Sequence, residues 1–294
     1  MTTNVSDMEA DADDLTAYQR LAALHGVPAH ELSDLPLYQL TASIASPGGP
    51  SLPGAWLKLP GHWSTLVERL ARSAAAALDD DAQLYAPSGM TSASDPARRL
   101  ADPCDLDGLS DVVEILASQL EQTLFRCPVA VDKVHVYRQV PSELERFDAG
   151  SWIWHADGHP TEFIKVLVYL SDVDEMSSVF QLLWSDDRKR ALRVTSAPMR
   201  GDNWLSGEAR SGATFDDAFV EDWARKGYPC RSITGPAGTT VLFATNCIHR
   251  GTLARSQPRD TLILRLRPAE SVQRPRLQAK ATIGQYSTTQ AFAS

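Results

Sequence analysis

The sequence predicts an all-β core with accessory helices, in which a helical segment over about residues 14–128 precedes a strand-built core over about 131–268. Three observations predict it. Apolar residues recur at helical spacing in three windows before residue 128, and from residue 131 the period changes to two. Short apolar runs of strand length then follow one another, separated by turn residues. A single charged, glycine-containing excursion, over about 185–228, interrupts them.

Residues 1–13 are acidic with almost no large apolar side chains, which predicts a disordered N-terminus. The first helix is expected after Asp14, where Leu15, Tyr18, Leu21, Ala22 and His25 share a face until Gly26-Val27-Pro28 stops it. The Pro/Gly/Ser cluster at 46–54 reads as loop. A second helix opens at His62-Trp63-Ser64, with Trp63, Leu66, Leu70 and Ala74 on one side, and runs to about Leu78. Residues 79–103 give no periodic signal. The clearest helix starts near Ser110 and carries Val112, Val113, Leu116, Leu120 and Leu124 on one face. In the strand expected over 131–140, Val134, Val136 and Val140 face one way and Lys133, His135, Tyr137 and Gln139 the other, a pattern suited to the wall of a ligand-holding barrel. Further strands are expected at 152–155, 163–170 and 178–184, near Ser232, and at 239–244 and 261–267, with one helix after Thr214. Gly235-Pro236-Ala237-Gly238 is a turn. The long excursion containing Trp204 has the length of a lid or a surface loop, and the tail after Ala269 is polar.

Composition bounds the function. The 294 residues, 43% hydrophobic and 22% charged, suit one large globular domain over 14–294. No apolar run reaches the roughly 18 residues of a membrane span, and the N-terminus lacks signal-peptide order, so a cytoplasmic protein is expected. The formal net charge of −9 argues against nucleic acid or an anionic membrane as partner. Cys104, Cys127, Cys230 and Cys247 are widely spaced, as free and mostly buried thiols would be.

Chemistry concentrates at Trp152-Ile153-Trp154-His155-Ala156-Asp157-Gly158. In an extended segment His155 and Asp157 project to the same side and reach one ion. His249, after a later strand, is the candidate third ligand. Two imidazoles and a carboxylate on one face leave adjacent positions open, the arrangement of non-haem Fe(II) oxygenases, whereas zinc favours closed or three-histidine sites. Ten residues on, Arg259 precedes Asp260 and Thr261 at the start of an apolar strand. A buried arginine with a hydroxyl two residues away on the same face suits the far carboxylate of a dicarboxylate such as 2-oxoglutarate. Tyr137 and Lys165 are candidate contacts for the same co-substrate, or in the case of Lys165 for a substrate carboxylate, with plain wall packing and an outward, snorkelling lysine as their alternatives. His159, next to Pro160, reads as a solvated loop histidine, and the charge run at 186–190 as a solvated turn.

The ordered set Trp154-His155-Ala156-Asp157-Gly158, then Gly238-Thr239-Thr240-Val241-Leu242-Phe243, His249-Arg250-Gly251 and Arg255-Ser256-Gln257-Pro258-Arg259 resembles the phytanoyl-CoA dioxygenase-like branch of the Fe(II)/2-oxoglutarate dioxygenases. The likeness spans about residues 131–268, nearly half the chain. It departs from the family at Arg250, where glycine usually follows the distal histidine directly. The resemblance implies a double-stranded β-helix, the cupin-like jelly roll, with Fe(II) held by His155, Asp157 and His249 at its open end. It also implies 2-oxoglutarate and dioxygen as co-substrates, with oxidative decarboxylation to succinate and carbon dioxide coupled to oxidation of a substrate C–H bond. The expected substrate is a small molecule, most simply one of specialised metabolism. Because Asp157 fills the carboxylate position, halogenation is disfavoured, and hydroxylation, desaturation or ring formation remain. Two rivals stand beside this reading: a metal-dependent cupin-type enzyme that uses no 2-oxoglutarate, and a non-catalytic small-molecule-binding protein on the same barrel.

Overall fold

The computed structural model describes residues 15–47, 56–85, 96–145, 147–148, 150–199 and 212–274. The expectations for the N-terminus, for most of the 46–54 loop, for Trp204 and for the tail beyond 274 lie outside the described residues.

Helix α1 (Ala17–Leu24) begins where Thr16 and Gln19 cap each other reciprocally, satisfying two backbone donors at the helix start. It buries Tyr18, Leu21 and Ala22 and ends ahead of Gly26, whose φ is 89°. After a short α2 (Pro36–Gln39) comes strand β1 (Ala42–Ala45). Helix α3 (Trp63–Asp79) buries Trp63, Val67, Leu70 and Ala74, with Leu66 only partly covered. Strands β2 (Leu84–Tyr85) and β3 (Ala97–Leu100) follow, then α4 (Leu109–Leu120), which continues into a wider turn at Glu121–Phe125. The N-terminal half therefore contributes three strands that periodicity missed.

The remaining strands are β4 (Val129–Gln139), β5 (Trp154–Ala156), β6 (Ile164–Tyr169), β7 (Phe180–Ser185), β8 (Arg190–Ala191), β9 (Ala213–Phe215), β10 (Cys230–Ile233), β11 (Thr240–Ala244), β12 (His249–Gly251) and β13 (Arg259–Pro268), with α5 (Asp217–Arg225) after β9. They form two sheets. One is seven-stranded, in the order β1-β11-β6-β13-β4-β3-β2; the other is six-stranded, in the order β10-β7-β12-β5-β9, with β8 beside β7. Of the strands that carry the site, β4, β6, β11 and β13 lie in the larger sheet and β5, β7 and β12 in the smaller. The expected barrel is two facing sheets, and no ladder joins them among the described residues.

Alternation decides what each face of the larger sheet meets. Val134 and Val136, Ile164, Val166 and Val168, and Leu262, Leu264 and Leu266 point outward and pack with the helices. Leu167, Tyr169, Val241 and Phe243 point inward against Phe180, Leu182 and Trp184 of β7. Trp63 fixes α3 to this sheet: its indole N–H donates to the Gly238 carbonyl at 2.8 Å. Gly238 has φ 90°, and a Cβ there would lie 3.1 Å from the indole nitrogen, so glycine serves both the turn and the close approach. Cys104, Cys127 and Cys247 are buried free thiols, while Cys230 is exposed. No helix among the described residues is long and apolar enough to cross a membrane.

Candidate metal and co-substrate site

The two histidines are brought together by strand register. His155 of β5 is the direct antiparallel partner of His249 of β12, so both side chains leave the same face of the smaller sheet, with ring centroids 4.2 Å apart. Asp157 lies one period further along, just past the end of β5, where its N–H donates to the Thr245 carbonyl. One ligand atom from each of His155, Asp157 and His249 lies within 4.8 Å of the others.

The donor set fits a divalent metal. Nδ1 of His155 donates to the Ile153 carbonyl at 2.9 Å, and Nδ1 of His249 to the Cys247 carbonyl at 2.8 Å. Both Nε2 lone pairs are thereby aimed at the cluster, with the second nitrogen holding each ring in place. Burial, reinforced by His155, lowers His249 to about 3, and burial lowers His155 too, so both imidazoles stay neutral, the form that binds metal. Burial alone would raise Asp157, but the Lys165 ammonium and the two histidines outweigh it and hold the carboxyl well below the usual range. Its Oδ2 is buried and lies 3.8 Å from His249 Nε2.

Facing this cluster, the inner surface of the larger sheet carries polar side chains on β4 and β13. Arg259 is 1% exposed and Thr261 is fully buried. Arg259 Nη2 donates to the Tyr137 hydroxyl at 3.4 Å, yet its Nε and Nη1, and the Thr261 hydroxyl, have no hydrogen-bond partner. The neighbouring carboxylate does not answer it: Asp260 points to the opposite face and takes two 2.7 Å hydrogen bonds from Arg138. A buried guanidinium with free donors beside a free hydroxyl is costly unless a ligand carboxylate completes it. Gly251, on the same face as His249, borders this group: a Cβ there would make ordinary contact, 3.8 Å from Arg259 Nη2 and 3.4 Å from Gln139 Nε2.

The remaining sequence candidates divide. Tyr137 pairs with Thr261 across β4 and β13 and points inward. Lys165 also points inward, but its ammonium lies 2.8 Å and 2.7 Å from the two Asp157 carboxylate oxygens, so it supports the aspartate. His159 differs from expectation: it is 8% exposed, stacks on Phe163 and meets Arg265 at 2.6 Å, and these two contacts take it out of solvent. Sequence reasoning passed over Arg265, which reads as one polar residue in an apolar strand. Its alternation with Leu264 and Leu266 was the available signal.

No protein-family model matches the chain, and no curated protein matches it. Among solved structures it is similar to the epimerase SnoN in complex with Fe3+, alpha ketoglutarate and nogalamycin RO, at TM-score 0.50 and 16% identity over 86% of this chain and 84% of that one. It is also similar to EctD from S. alaskensis with 2-oxoglutarate and 5-hydroxyectoine, at TM-score 0.49 and 14% identity over 82% and 76%. HygX from Streptomyces hygroscopicus, with nickel and 2-oxoglutarate bound, gives TM-score 0.44 and 14% identity over 83% and 88%. At such identities the likeness is one of fold, and the SnoN match shows that the chain shares a cupin-like jelly-roll fold.

Proposed function

We propose that the protein is an Fe(II)- and 2-oxoglutarate-dependent oxygenase of the phytanoyl-CoA dioxygenase-like kind, acting on a small molecule of specialised metabolism, with residues 14–294 as its dioxygenase domain. The observation that carries the reading is the pairing of two incomplete sites across one interior. A His155–Asp157–His249 cluster with its lone pairs aimed inward faces a buried Arg259, whose Nε and Nη1 lack partners, and Thr261, whose hydroxyl lacks one. A keto acid with a remote carboxylate completes both at once.

In this reading His155, Asp157 and His249 hold Fe(II), which supplies activation of dioxygen when bound. Arg259 and Thr261 bind the far carboxylate of 2-oxoglutarate, and Tyr137 orients the guanidinium. Lys165 steadies Asp157. Phe180 and Phe243, whose rings lie 5.5 and 4.9 Å from that of His249, exclude water from the distal histidine's side. A cupin enzyme without 2-oxoglutarate gives Arg259 no partner, and a silent binding protein has no need of the complete His155–Asp157–His249 cluster. The test is turnover: aerobic incubation with Fe(II) and 2-oxoglutarate yields succinate above the protein-free control, and His155→Ala abolishes it. Equal succinate from wild type and variant contradicts the proposal.

A further inference from the structure

We infer that the inner wall carries a second anion site, centred on Lys133 with Arg265 and His135 beside it, which holds an acidic group of the substrate. The inference deepens the oxygenase reading and rests on it, because it takes the co-substrate carboxylate to be the one that Arg259 awaits.

Register builds this site. Arg265 of β13 is the direct partner of Lys133 on β4 and of Lys165 on β6, so three cationic side chains stand in one row on the inner face. His135 follows Lys133 on the same face of β4. Two of the three cations are already engaged: Lys165 with Asp157, and Arg265 with Asp132 and His159. Lys133 is half-buried and makes no hydrogen bond or ion pair among the described residues. A confined ammonium of this kind is unfavourable until an anion joins it. Burial, then Arg265 and Lys165, pull Lys133 down to about 8, and burial with the same three cations pushes His135 well below its ordinary value. Both shifts are caused first by burial, and the neighbouring cations add to it.

Two further facts favour a ligand over a chance cluster. The chain has a net charge of −9 and only six lysines, yet two of the six stand in this row. The Arg259 site does not serve it either, since Arg259 lies six residues from Arg265 along β13, about 20 Å at strand spacing. A dicarboxylate joining the metal cluster to Arg259 thus leaves Lys133 unanswered. Lys165, whose ammonium contacts Asp157, lies two strands from Lys133 in the same row, so an acid bound at Lys133 has the rest of its molecule beside the metal cluster.

Carboxylates and phosphate esters share the required chemistry, and the test separates them. With 2-oxoglutarate saturating, phenyl phosphate, benzoate and the neutral benzamide are titrated into the Fe(II)-loaded protein by anaerobic calorimetry. Wild type binds at least one acid ten-fold or more tighter than benzamide, and Lys133→Met and Lys133→Gln lose that preference. Lys133→Arg keeps it within about three-fold, and all variants bind 2-oxoglutarate as wild type does. Tighter phenyl phosphate assigns a phosphate ester, and tighter benzoate a carboxylic acid. Acid binding no tighter than benzamide, or acid binding unchanged in whichever of the Met and Gln variants folds, overturns the inference. Absence of 2-oxoglutarate binding to wild type sinks the oxygenase reading instead, and the Lys133 comparison still reads out by itself.

Discussion

At the scale of single residues, the site is defined by what its polar atoms lack. The Arg259 guanidinium, 1% exposed with two nitrogens unpartnered, is the group whose removal costs a carboxylate ligand most. Loss of charge-assisted, bidentate bonding in a dry site is worth about 3 kcal/mol. Arg259→Met therefore weakens 2-oxoglutarate binding about 100-fold in calorimetry of the metal-loaded protein, and an unchanged dissociation constant removes Arg259 from the site. The histidines yield a second prediction. His135, His155, His159 and His249 are all lowered, first by burial, and both His159 and His249 to about 3. Between the ordinary histidine value near 6.5 and about 3, the unfolded chain binds the protons that the folded chain refuses, so stability falls as pH falls. From pH 7 to pH 5 this amounts to about 2 kcal/mol for each of the two. The thermal midpoint of the metal-free protein drops over that range, and a flat profile contradicts the buried, neutral imidazoles. His155 and Asp157 were legible in sequence because a period of two puts them on one side. The burial of His159 was not, because loop path is set by the Phe163 and Arg265 it meets, more than 100 residues apart in the case of Arg265.

At the scale of elements, position comes from register. β12 has only three residues, yet its pairing with β5 and β7 delivers His249 to His155, and two residues further on it sets Gly251 beside Gln139 and Arg259. Gly251→Ala is tolerated at ordinary contact distance, whereas Gly251→Val projects a branch toward Gln139 and Arg259. The valine variant loses 2-oxoglutarate affinity ten-fold or more in the same calorimetry while the alanine variant keeps it; equal affinities contradict the packing described. Helix α3 makes the matching structural prediction. Trp63→Ala removes a 1% exposed indole and its bond to Gly238, at a cost of about 3–5 kcal/mol. Chemical denaturation reads this as a lower midpoint, and a loss under 1 kcal/mol shows that α3 does not clamp the sheet. Helices α1, α3 and α4 were legible from their 3.6-residue stripes. Strands β1, β2 and β3 were not: β1 is buried on both faces and so has no alternation, and β2 has two residues.

At the scale of the whole molecule, the jelly roll separates two tasks by sheet. The smaller sheet carries the two histidines of the candidate metal cluster, while the larger presents cations inward on a chain that is acidic as a whole. The switch from helical to strand period near residue 131 made this architecture legible, because helices cover one face of the larger sheet and force its residues to alternate. Which strands pair was not legible, since the crossing between sheets is a long-range choice made by packing. The central claim is that the two halves of the interior are joined by one co-substrate. Anaerobic addition of Fe(II) and 2-oxoglutarate to metal-free protein tests it most directly. Wild type develops a weak visible charge-transfer band that needs both components, His155→Ala gives none, and Arg259→Met requires about 100-fold more 2-oxoglutarate. A wild type without the band, or a band indifferent to both substitutions, contradicts the account.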